Sequence, residues 1–224
     1  LLVTYGFWIE HNQQHPSRLS RLLGKLTTTE EIRNNMQQQL IVVRHGQTAY
    51  NLAGLIQGHI DIPLNSRGKI QAEQLGLILR EHHFDHVFSS DLSRSTLTAE
   101  LILKENKHYP RVPVTQLDKR LREYYFGEYD GQLWHHQAFN STEANLSIES
   151  KDAFRKRVWN FLDELYSRFT LPQSILVISH LGLLQLLLEE ASVQENYRGD
   201  NCSALLFTLG QNRKIHFHTS LHDR

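Results

Sequence analysis

Short runs with no polar position, separated by stretches of helical periodicity, constrain this chain more than any other feature. Residues 40–43 (LIVV) and 175–178 (ILVI) are apolar at every position, so a strand built from either must be covered on both faces. Residues 87–89 supply a second strand and residues 112–114 a weaker one. Between them, residues 67–82 place Ala72, Leu75 and Leu79 at helical spacing. Another helix follows residue 89, with Ser90 or Asp91 as its cap and Ala99, Ile102 and Leu103 on one face. Residues 151–169 give the clearest helix, because Phe154, Val158, Phe161, Leu162, Leu165 and Phe169 form a continuous stripe. A leucine-rich helix over 182–190 follows the strand at 175–178. The end reads as a hairpin, 204–209 and 214–219, joined through Gly210, Gln211 and Asn212. The pattern predicts an α/β chain folded as a three-layer α/β/α sandwich. Its central sheet is mainly parallel, with an antiparallel edge hairpin and a short helical insertion.

The strands begin only at residue 40, which divides the chain into an N-terminal extension, residues 1–35, and a single domain, residues 36–224. Residues 17–26 put Leu19, Leu22, Leu23 and Leu26 on one helical face, with Arg18, Arg21 and Lys25 around it. Such a basic amphipathic stretch suits a membrane surface, a transit peptide or a partner; the simpler reading is an extension, helical or disordered, of natural or cloning origin. The single methionine, Met36, precedes the first strand and marks a candidate natural start. Lys plus Arg and Asp plus Glu number 24 each, so no global field selects nucleic acid or an anionic membrane. No apolar run approaches the length of a membrane span. A lone cysteine, Cys202, excludes an internal disulfide framework and fits a reducing, cytoplasmic setting. Fourteen histidines ask whether a metal is bound. Neither His82, His83 and His86, nor the pairs His135-His136 and His216/His218, have a carboxylate or cysteine at ligand spacing, so no metal is expected.

Ligands of parallel sheets sit outside the carboxyl ends of the strands. Two strands end alike there: residues 41–43 run into Arg44-His45-Gly46, and residues 176–178 into Ser179-His180, with Gly182 nearby. If the strands are neighbours, two imidazoles face one another, and each glycine lets the backbone turn tightly. Arg44 closes a wholly apolar strand and needs an anionic partner. Arg94 falls in the first turn of a helix, where the helix start and a guanidinium fork both favour phosphate, although alone it reads equally as a solvated charge.

The run Arg44-His45-Gly46-Gln47-Thr48-Ala49-Tyr50-Asn51 resembles the signature of the histidine phosphatase superfamily, phosphoglycerate-mutase-like branch. The remaining motifs follow in that family's order. They are Gln57-Gly58, Asp61-Ile62-Pro63-Leu64, Gly68 with Gln71-Ala72, and Ser89 through Arg94 before Thr98-Ala99-Glu100. Then come Leu121-Arg122-Glu123, Phe126-Gly127-Glu128, Asp130-Gly131 and Ser179-His180, so that the resemblance spans residues 39–207. It implies that His45 is the nucleophile, that Arg44, Arg94 and His180 clamp the phosphoryl oxygens, and that Asn51 supports them. Glu123 resembles the family's proton donor and later base, and Gln57 and Gly58 lie on the loop that borders the phosphate. Leu181 joins this phosphate-binding set where many relatives have glycine, and Gln185 stands where many have arginine; both bear on substrate identity. The resemblance further implies a small-molecule phosphate ester as substrate and no cofactor. No nucleic acid or membrane partner is expected, and a monomer and a homodimer remain equally open.

The chemistry agrees with these roles. An attacking imidazole must be neutral, and two nearby guanidiniums oppose a further positive charge on His45. The same guanidiniums can stabilise the equatorial oxygens, so no metal is demanded. Glu123 is distinguished from its neighbours Arg122, Glu128 and Asp130 by the family match alone. A mutase of phosphoglycerate type needs a second basic cluster and a lid. The basic residues between Glu123 and His180 are few: Lys151, Arg155, Lys156, Arg157 and Arg168, mostly on the outer face of one helix. Glu149-Ser150 with Phe154 and Arg157-Val158 resembles instead the small phosphatases of the α-ribazole phosphatase type. A non-catalytic phospho-ligand-binding module is the third reading, and the intact set of five catalytic residue types argues against it. Trp134, His135, His136 and Phe139 are candidates for a pocket wall suited to an aromatic or sugar phosphate.

Overall fold

A computed structural model describes residues 37–133, 148–193, 197 and 199–221. The chain divides into Leu1–Met36 and Gln37–Arg224. The N-terminal extension with its stretch 17–26, and the wall candidates Trp134, His135, His136 and Phe139, lie outside the described residues.

The elements run β1 (Gln38–Arg44), α1 (Ala49–Ala53), α2 (Ser66–Ile78), β2 (His86–Ser89), α3 (Ser93–Lys104), β3 (Gln116–Leu117), α4 (Lys151–Arg168), β4 (Ser174–Ser179), α5 (Leu181–Glu190), β5 (Ala204–Leu209) and β6 (Ile215–Leu221). The six-stranded sheet has the order β3-β2-β4-β1-β5-β6. β1, β2, β3 and β4 pair in parallel, whereas β5 and β6 are antiparallel additions at one edge. The apolar runs explain this placement. In β1, Leu40 and Val42 join a core cluster with Phe154, Phe161 and Leu165 of α4 and Leu184 and Leu187 of α5. Ile41 and Val43 point the other way, against Ala72 and Leu75 of α2 and Ala99 and Ile102 of α3. Alternate residues of one strand therefore feed the two outer layers, and removing one of the large buried aromatics, Phe154 or Phe161, should cost about 3–5 kcal/mol.

The differences from the sequence reading have local causes. No strand forms at 112–114: Pro113 offers no N–H to a ladder, Val114 is exposed, and the edge strand β3 lies at Gln116–Leu117 instead. α2 starts one residue before the expected 67, because the Asn65 side chain accepts from Gly68 N (2.8 Å), and it ends at Ile78 rather than 82. Neither Ser90 nor Asp91 caps α3, whose N-cap is Leu92 with no side-chain bond. Both side chains are engaged elsewhere, Ser90 with His180 and Asp91 with Arg122. The short α1 was not expected; a capping box between Thr48 and Asn51 holds it. Of the insertion, the described residues include a single 3-10 turn, Gly127–Tyr129, and the bridge between Leu55 and Leu133.

Candidate active site

The register of the sheet assembles the site. β1 and β4 are parallel neighbours with Arg44 opposite Ser179, so the next residue on each strand, His45 and His180, leaves the same edge side by side. Their ring centroids are 5.0 Å apart with the planes at 63°. His45 N donates to Ser179 O (3.0 Å), which ties the two exits together.

The His45 ring is buried, and its Nδ1 lies 2.8 Å from the carbonyl oxygen of Gly46. A carbonyl can only accept, so Nδ1 carries the hydrogen and the lone pair belongs to Nε2. Burial, then Arg94, then Arg44 hold the His45 pKa well below the ordinary histidine value, so the ring is neutral at physiological pH. Burial, more than the two arginines expected from the sequence, is the larger cause. His180 is likewise held well below the ordinary value, first by burial and then by Arg94. Its Nε2 lies 3.0 Å from Ser90 Oγ, and its Nδ1 is buried with no hydrogen-bond partner among the described residues.

Arg94 is fully buried. It donates to the carbonyls of Ile60 (2.8 Å) and Gly58 (2.8 Å), with a longer contact to that of Gln57 (3.4 Å), while its Nε is unpartnered among the described residues. Burial lowers its pKa to about 10, against the opposing pull of Glu123, Asp61 and Asp130, so it stays cationic. Arg44 donates to Gly199 O (2.6 Å), and its Nε too is buried and unpartnered among the described residues. Two guanidiniums, Arg94 buried and Arg44 half-buried, are held by neutral carbonyls and stand beside a neutral imidazole.

Glu123 is brought to the same place. Its Oε2 accepts from Gly182 N (3.2 Å) and its Oε1 from Tyr124 N (2.9 Å). Gln57 and Gly58 form the loop that cradles Arg94, and the Gln57 side chain accepts from Thr48 Oγ1 (2.8 Å). Asn51 sits one layer back: its Oδ1 accepts from Thr48 N (3.1 Å) and from Asn201 Nδ2 (3.1 Å). Leu181, half-buried, opens α5 directly after His180, and Gln185 donates to Tyr197 O (3.0 Å).

The glycines differ from expectation. Neither Gly46 nor Gly182 has a left-handed φ. Each is a point of close approach: a Cβ on Gly46 would lie 2.4 Å from Gly68 O, and one on Gly182 would lie 2.3 Å from Glu123 Oε1. Sequence reasoning also missed Asn201, which donates to His45 O (3.1 Å), and Thr98, whose Oγ accepts from Gly46 N (3.0 Å). Both act through backbone groups, which leave no pattern in a sequence. Arg157, one of the helix cations that also belongs to the likeness to the small phosphatases, faces the loop that carries Glu123. Among the described histidines outside the site, several are engaged in packing or hydrogen bonds. His86 stacks on Phe169 at 4.1 Å, and His218 Nε2 lies 3.0 Å from Thr208 Oγ1. Among the described residues no group of three or more His, Cys, Asp or Glu is arranged to hold a metal ion.

A mainly parallel sheet that presents a neutral imidazole lone pair, a second buried imidazole, two guanidiniums and a carboxylate at its strand ends defines a site of the phosphoryl-transfer class. Comparison with known proteins agrees. The profile of the histidine phosphatase superfamily (branch 1) matches residues 40–215, and the chain belongs to that family. It is 37% identical over 164 residues to the adenosylcobalamin/α-ribazole phosphatase of Escherichia coli K12, covering 67% of this chain and 77% of that one. It is 33% identical over 160 residues to a broad-specificity phosphatase of Saccharomyces cerevisiae, covering 67% and 69%. Among solved structures it is similar to the α-ribazole phosphatase of Shigella flexneri, with a TM-score of 0.66, 26% identity and coverage of 83% and 96%. A phosphoglycerate mutase of Bacillus anthracis shares the fold, with a TM-score of 0.72 at 23% identity and coverage of 84% and 94%.

Proposed function

We propose that this protein hydrolyses a phosphate monoester of a small molecule through a phosphohistidine intermediate on His45. The observation that carries the reading is the His45 tautomer: Nδ1–H is committed to the Gly46 carbonyl, which leaves the Nε2 lone pair beside the cations of Arg94 and Arg44. Nε2 attacks phosphorus in line, a P–N bond forms, and the P–O bond to the leaving group breaks. Arg44, Arg94 and His180 hold the equatorial oxygens, with Asn51, Gln57, Gly58 and Leu181 shaping the pocket around them. Glu123 gives its proton to the departing oxygen, then takes one from the water that attacks phosphohistidine and regenerates His45. The phosphatases among the relatives favour hydrolysis as the net reaction, and the α-ribazole phosphatases make a ribosyl phosphate a sensible first substrate to test. The reaction as written uses no metal or cofactor.

The mutase alternative needs basic residues free to hold a second phosphate. Among the described residues, Lys151 pairs with Glu189, Arg155 with Glu189 and Glu190, and Arg157 with Glu149, which favours hydrolysis. No helix among the described residues is long and apolar enough to cross a membrane. The test is turnover of an aryl phosphate in the presence of a chelator. Turnover should persist, vanish in His45→Ala and fall about 10²- to 10³-fold in Glu123→Gln. Full activity in His45→Ala would refute the assignment.

A further inference from the structure

Arg157 lies on α4, a helix whose cations would ordinarily face water. Here all five of its N–H donors are taken. Nε and Nη2 grip the Glu149 carboxylate (2.7 and 2.8 Å), Nη1 donates to the carbonyls of Arg120 and Arg122 (2.7 Å each), and Nη2 also donates to the carbonyl of Glu123 (2.7 Å). The guanidinium rests 4.5 Å from the centre of the Phe154 ring. Glu149 closes the arrangement, because its backbone N donates to Tyr125 O (2.8 Å) while its Oε2 accepts from Tyr125 N (3.3 Å).

A second donor reaches the same Glu123 carbonyl. His59 Nε2 lies 2.9 Å from it, and since a carbonyl only accepts, Nε2 carries the hydrogen. His59 sits between Gly58 and Ile60, whose carbonyls hold Arg94. The backbone of Glu123 is thus pinned from the α4 side by Arg157 and from the phosphate loop by His59, while its carboxylate is held by Tyr124 N and Gly182 N.

We propose that Arg157 is a positioning residue for the proton-donor function of Glu123, with His59 as the second brace and the link to the loop that holds Arg94. The proposal rests on the reading of Glu123 as the acid. Lysine cannot replace this arginine, because an ammonium has three donors on a point charge and cannot span a carboxylate and three carbonyls at once.

The consequence is specific to the leaving group. Protonation matters for a basic phenolate and hardly at all for a dinitrophenolate, which departs without a proton. The constant kcat/KM reports the step up to P–O cleavage, so it should be measured for phenyl phosphate and dinitrophenyl phosphate with the full chain, Glu123→Gln, Arg157→Lys and His59→Phe. We expect Glu123→Gln to lose about 10²- to 10³-fold on the phenyl ester and less than about threefold on the dinitrophenyl ester. Arg157→Lys should show the same selectivity at about ten- to thirtyfold, and His59→Phe at about three- to tenfold. If Glu123→Gln is selective but Arg157→Lys loses both esters equally, or neither, the brace is overturned and the acid stands. If Glu123→Gln is not selective, both are overturned. Should Arg157→Lys fail to fold, as its circular dichroism would report, His59→Phe decides on the same criterion.

Discussion

At the scale of single residues, the site is governed by which atoms are already committed. His45 Nδ1 is held by the Gly46 carbonyl, and Glu123 by two backbone N–H groups, so the reactive atoms are set by main-chain contacts rather than by other side chains. Gly182 tests this directly. A methyl group there would meet Glu123 Oε1 at 2.3 Å, so Gly182→Ala should displace the carboxylate and lower kcat about ten- to a hundredfold with little change in KM. Steady-state kinetics on an aryl phosphate would check it; an unchanged kcat would mean that the carboxylate is not held where it acts. A sequence cannot display this kind of constraint. His45, His180 and Arg44 were legible because each ends an apolar strand. Glu123 is singled out by family likeness alone, and the bracing contacts of Arg157 and His59 are not visible because they are made to a carbonyl.

At the scale of elements, the strands deliver two neutral imidazoles into the interior, and this couples stability to pH. The sign follows from the proton count. In the folded chain His45 and His180 have depressed pKa values, first through burial, whereas in the unfolded chain they titrate near 6.5. Below that value the unfolded state binds more protons, so stability is full above about pH 6.5 and falls as pH drops toward the folded pKa values. Each ring contributes a slope of about 1.4 kcal/mol per pH unit in that window. Urea unfolding at several pH values should show the slope, and His45→Asn with His180→Asn should flatten it. The elements themselves were largely readable, since apolar runs and helical stripes found all but the short α1 and the edge strand to within a few residues. The misplacements had local causes: Pro113 in the expected edge strand, Asn65 as an unrecognised cap, and Ser90 and Asp91 drawn from capping into the site.

At the scale of the whole molecule, a chain with balanced charge concentrates positive potential at one rim of its sheet, where Arg44 and Arg94 donate to backbone carbonyls. An oxyanion that completes their hydrogen bonds should bind the folded state alone. At a hundredfold excess over its Kd it would add about 2.7 kcal/mol and raise Tm by about 5–10 °C. Thermal scans with phosphate or vanadate would show this for the parent chain, and Arg94→Ala should abolish the shift. The same reasoning makes the covalent intermediate the point on which the account turns. In Glu123→Gln, dinitrophenyl phosphate should still transfer its phosphoryl group, because that ester needs no acid, while hydrolysis of the product slows for want of a base. An alkaline quench followed by peptide mass spectrometry should then find phosphate on His45, stable to base and lost in acid. Phosphate on another residue, or turnover without any label on His45, would contradict the account.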